Sequence, residues 1–141
     1  MANFSYPILK IGTVLRFYVT DTIPPKVKRL IIVGIDNELV TTSTIFINSE
    51  INPNVFTSEE LKRLQYKLEA NKCAFLDHDS YADCSDVRER KCQDILNLFS
   101  KSPQVNLGQL ESNDLIQIRL LIKSAKTISV RIKKKFGFFT I

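Results

Sequence analysis

The chain has 141 residues, 44% of them hydrophobic and 25% charged, and a formal net charge of +5. One domain of that length buries about 70% of its unfolded surface, enough for a core without disulfides or a structural metal. The composition excludes bulk disorder and collagen-like repeats. No apolar run approaches the ~18 residues of a membrane span. The opening stretch MANFSYPILKIG also lacks the basic region and long apolar run of a secretory leader. The expectation is a single cytoplasmic domain over 1–141 with no membrane partner.

Three cysteines, Cys73, Cys84 and Cys92, are spaced 11 and 8 apart with no CxxC pair. That spacing fits no zinc finger or ribbon, and free thiols are expected. His78 is the one histidine, which excludes any mechanism needing two. Charge is uneven along the chain. Residues 121–141 hold Lys123, Lys126, Arg131, Lys133, Lys134 and Lys135 and no acid. Such an end suits either a polyanion partner or simple solvation.

The first third reads as β-structure. TVLRFYV (13–19) mixes β-branched and aromatic residues, and the proline-bearing DTIPPKVK (21–28) reads as a loop. RLIIVGI (29–35) has the unbroken apolarity of a buried strand, and LVTTSTIFI (39–47) predicts another. A capping box at Thr57-Ser58-Glu59-Glu60 then precedes Leu61, Leu64 and Leu68 at helical spacing, which predicts an amphipathic helix over 58–70. CAFLD (73–77) predicts a short strand. Residues 85–99 fit a strand or a helix near their end. Ser112 is placed as the cap of a helix over 113 to about 124, with Leu115, Ile118, Leu121 and Ile122 on one face. In the tail, Ile128, Val130 and Ile132 alternate with polar residues, as in a terminal strand or a disordered extension from about 125.

Few polar groups form a constellation. Arg29 lies where a basic segment meets an apolar strand, and a guanidinium there suits a phosphate or simply solvent. Ser49 ends a β run, where it could offer a hydroxyl to the same site or only make a turn. Lys26 and Lys28 raise the local potential. Asp77, His78 and Asp79 head the densest polar segment, DHDSYADCSD. Two carboxylates two apart share a side on a strand, yet no calcium-loop spacing follows, so no metal is expected. Tyr66 and Tyr81 suit either base stacking or the core.

In chain order, these segments resemble the MazF/PemK-like toxin family. IGTVLRFYV (11–19) is similar to its opening strand, with Thr13 where an acid often stands. KVKRLIIVG (26–34) is similar to its basic entry into an apolar strand, with Leu30 in place of proline. TIFINSEI (44–51), FLDHDSYADCSDV (75–87) and LGQLESNDLIQIRLLI (107–122) follow in the family's order. The resemblance implies a mainly β fold, an SH3-like small barrel with an inserted helix and a C-terminal helix. It implies a metal-independent endoribonuclease without cofactor, cutting single-stranded RNA by attack of the 2′-hydroxyl to leave a cyclic phosphate and a 5′-hydroxyl. Arg29 matches the arginine that stabilises the scissile phosphate, and Ser49 the hydroxyl that bonds it. Asp79 matches an acid that contacts the base, and Lys26, Lys28 and His78 join it as substrate-binding residues. An antitoxin protein and a homodimer are the implied partners. The alternative is a barrel module that binds nucleic acid or protein without catalysis, since the family's basic pair is only partly present.

Overall fold

The computed structural model describes residues 9–141 and shows a mixed α/β protein built on one curled antiparallel sheet. In chain order the elements are β1 (Thr13–Val19), β2 (Lys26–Ile35), β3 (Thr41–Asn48), α1 (Glu59–Arg63), β4 (Gln65–Leu68), β5 (Ser80–Asp83), β6 (Arg88–Lys91), α2 (Cys92–Lys101), β7 (Asn106–Gln109), α3 (Ser112–Ser124) and α4 (Val130–Lys135). The strands run β4-β5-β3-β2-β1-β7 across the sheet. Both β5 and β6 pair with β3, β5 at Ile47–Asn48 and β6 at Thr41–Thr44. The end strands β4 and β7 are not paired with each other, so the sheet makes a half-barrel.

Burial on both faces explains the apolar run of β2. Ile31 and Val33 enter the main core with Val14, Ile45 and Ile47, under α3 and the C-terminal segment. Leu15 and Ile32 face the other way, onto Ile95 of α2 and Val105. A third small cluster, Val19, Leu30 and Phe46, lies beside it on that outer face. A bulge between Ile32 and Gly34 shifts the β2–β3 register. Arg119 of α3 donates there to the Val33 carbonyl, and its guanidinium lies 4.9 Å from the Phe138 ring centre.

Three expectations are corrected. The helix over 58–70 is only five residues, capped by Ser58, whose hydroxyl accepts from the Leu61 amide at 3.1 Å. Residues 65–68 are strand instead, because Leu64 and Leu68 are buried with Tyr66 packed on the same core, a period of two. Residues 73–77 form turns rather than a strand, with the Leu76 amide donating to the Cys73 carbonyl at 3.0 Å. The tail is neither a strand nor a loose extension. Ser129 caps α4, and Ile128, Ile132 and Phe136 are buried at a spacing of four while Val130 is 57% exposed. Smaller shifts accompany these: β2 starts at Lys26 inside the expected loop, Glu111 rather than Ser112 occupies the N-cap of α3, and 85–99 divides into β6 and α2.

Candidate nucleic-acid interface

The sequence-predicted residues gather where β2 begins and β3 ends, but they divide between two faces. Successive strand residues point to opposite sides. Lys26 and Lys28 stand across from Val19 and Phe17 on the outer face, and the Lys28 ammonium hydrogen-bonds the Asn48 carboxamide oxygen. Arg29 stands on the inner face, between Arg16 of β1 and Ile47 of β3. Two like charges directly opposed are unfavourable without a counter-charge. The Asp77 carboxylate supplies a loose one, 3.9 Å from the Arg29 guanidinium, while Arg29 Nε is buried with no acceptor among the described residues.

Ser49 follows β3 immediately, two residues beyond Ile47, the strand partner of Arg29. No hydrogen bond joins their side chains among the described residues. Ser49 lines a hollow of about 560 Å³ with Lys26, Lys28, Asn48 and Phe46. Arg29, His78 and Asp79 are not among its lining residues. The hollow is not simply basic: Asp21, Glu50, Asp83 and Asp86 also line it. Asp83 accepts from Gln65 Nε2 at 2.9 Å and from the Ser85 amide at 3.0 Å, so its charge serves the turn. Burial, and then the charge of Lys26, push the Lys28 ammonium below its ordinary pKa. Asp83 opposes that shift.

His78 and Asp79 sit in the turn before β5. The exposed His78 ring lies 3.0 Å from the Asp79 carbonyl through Nδ1. Asp79 accepts from the Ala70 amide at 2.9 Å and lies 3.7 Å from the Lys67 ammonium. Asp77 and Asp79 therefore serve different partners. No group of three potential metal ligands exists among the described residues. Tyr66 donates to Asp114 at 2.6 Å, and burial together with that bond pushes its phenol up, which leaves it with an internal role. The cysteines are free and buried, and burial raises all three thiols, so none is an activated nucleophile.

Sequence reasoning missed the outer-face cations Arg88 and Arg90 and the two rings beneath them. Arg88, Arg90 and Lys28 lie 4.9, 5.7 and 5.2 Å from the Phe46 ring centre, and Arg90 lies 5.8 Å from that of Phe17. The available signal was the period of two in Arg88-Glu89-Arg90, which puts both guanidiniums on one side of a strand. Three of the six bases of the tail are also occupied. Lys133 is buried and donates to the Ala125 carbonyl at 2.7 Å, while Arg131 and Lys135 reach Glu89 at 3.5 and 3.1 Å. Compared with models of known protein families and with curated proteins, the sequence matches none.

Proposed function

We propose that this chain is an SH3-like, MazF/PemK-type half-barrel that binds single-stranded RNA at the β2–β3 end of its sheet and cleaves it there without a metal. The observation that carries the reading is Arg29. Among the described residues its Nε–H is buried and unpartnered and its terminal nitrogen has only a distant carboxylate, and Ser49 lies two residues beyond its strand partner Ile47. A phosphodiester accepting from the exposed terminal nitrogens of Arg29 and from Ser49 would supply the close counter-charge that Arg29 and the opposed Arg16 lack. The chain's contribution to catalysis is then electrostatic. Arg29 stabilises charge growing on the phosphorane as the RNA 2′-hydroxyl attacks and the bond to the 5′-oxygen breaks, water carrying the 2′ proton to that leaving oxygen; Ser49 holds one phosphate oxygen, and Lys26 and Lys28 draw the neighbouring backbone from the outer face. An acidic antitoxin segment and a homodimer remain part of this proposal.

A second reading is a binding module without catalysis. The cluster of Lys28, Arg88 and Arg90 on the outer face favours it, because a basic groove can track a single-stranded backbone without any reacting group; the buried Phe46 ring supports those cations. Incubation of purified protein with long single-stranded RNA in EDTA, beside Arg29→Ala, separates the two. Discrete cleavage lost in the variant supports the enzyme. Intact RNA with salt-sensitive binding supports the module.

A further inference from the structure

The loop joining β1 to β2 is fastened to β6 by one residue. The Asp21 carboxylate sits between two guanidiniums, with Arg90 at 3.1 and 3.3 Å and Arg88 at 3.5 Å. Arg88 also donates to the Asp21 carbonyl. Residues 20–26 contribute no buried side chain, and Ile23 is fully exposed, so packing does not fix this loop. The arginines are better held. Arg90 also donates from Nε to the Thr44 hydroxyl at 3.0 Å, and Arg88 is paired with Asp86 at 3.0 Å. Both rest on the Phe46 ring.

Two planar forks on alternate residues of one strand, converging on a single anionic group, are suited to a phosphate oxygen as well as to a carboxylate. Beside them lie the hollow and Lys28, whose lysine neighbour Lys26 has no ion pair among the described residues. We infer that Arg88 and Arg90 form a phosphate-binding site for the RNA backbone on the outer face, and that Asp21 is its intramolecular occupant, displaced when RNA binds. This rests on the RNA-binding reading above. It adds a contact remote from Arg29, on the opposite face of the sheet, and makes the β1–β2 loop a restraint on binding.

The test is equilibrium binding of a labelled oligouridylate in EDTA to wild type, Asp21→Asn, Arg90→Gln, the Asp21→Asn/Arg90→Gln double variant and Lys26→Ala. Each protein is first checked for a cooperative thermal transition. Asp21→Asn is expected to bind about two- to fivefold tighter, the equivalent of removing one exposed ion pair that competes with the ligand. Its dependence of log K on log salt should stay near that of wild type, because the same phosphates are neutralised once Asp21 is displaced. Adding Arg90→Gln should abolish the gain in affinity and lower the slope by about 0.7. If Asp21→Asn binds no tighter while Lys26→Ala weakens binding, the restraint is wrong and the RNA-binding reading survives. If neither wild type nor Asp21→Asn binds, both fall.

Discussion

Lys28 and Arg29 are adjacent in the chain and belong to different surfaces, and each carries its own consequence. Lys28 is charged at a half-buried position beside Lys26, and burial is the larger cause of its lowered pKa. Its folded value lies below the ordinary 10.5, so the unfolded chain holds more protons between the two values. The charge therefore costs stability at neutral pH, and that cost fades as pH rises through the folded pKa towards 10.5. Lys28→Met should accordingly be more stable than wild type at pH 7, with the difference shrinking in alkaline buffer. Urea midpoints across pH measure it, and a difference that grows with pH would contradict the assignment. Gly34 is constrained by space. A Cβ there would stand 2.6 Å from Ser43 Oγ and 2.8 Å from Phe136 Cβ. Gly34→Ala should cost about 1–3 kcal/mol by overpacking, read as a lower denaturation midpoint.

Two of the elements that the sequence misassigned share one cause, that residues four apart coincide in a helix and in a strand. Leu64 and Leu68 suggested a helix, and the residue that decides is Tyr66 between them, which faces the same core. Ile128 and Ile132 suggested a strand, and Val130 between them decides the other way by facing solvent. Only the partner across the gap separates the two cases. β4 finds β5, whereas α4 finds the closed face over α3. The strands β1, β2 and β3 were legible because a run apolar on both faces, or β-branched throughout, has no such ambiguity. α3 was legible from its apolar face. The tail is thus core: Phe136 is 3% exposed and Phe138 is fully buried. Phe138→Ala should cost about 3–5 kcal/mol. A chain ended after Ala125 should lose its cooperative unfolding transition, and retention of that transition would show the tail to be dispensable.

At the scale of the whole molecule, net charge is a weak guide to where an anion binds. Of the bases that suggested a polyanion-binding tail, Lys133 is buried and Arg131 and Lys135 are tied to Glu89. The cations gathered over rings and beside Ser49 come from β2 and β6, 60 residues apart from Lys28 to Arg88, with Asp21 and Asp86 paired to the two arginines. Arg29, Ser49, Lys26 and Lys28 were reachable from the sequence because they flank two readable strands. Arg88, Arg90 and Asp21 were not, since a short charged strand has no apolar pattern to declare which side its residues take. If this end of the sheet holds RNA, affinity should fall steeply with salt, and Lys26→Ala should reduce the slope of log K against log salt by about 0.7.

The account stands most directly on Arg29, and cleavage of a long single-stranded RNA in EDTA by wild type and by Arg29→Ala is the measurement that tests it. The prediction is discrete fragments ending in a 2′,3′-cyclic phosphate from wild type and none from a folded Arg29→Ala protein. Intact RNA with wild type, or equal cutting by both, would contradict it.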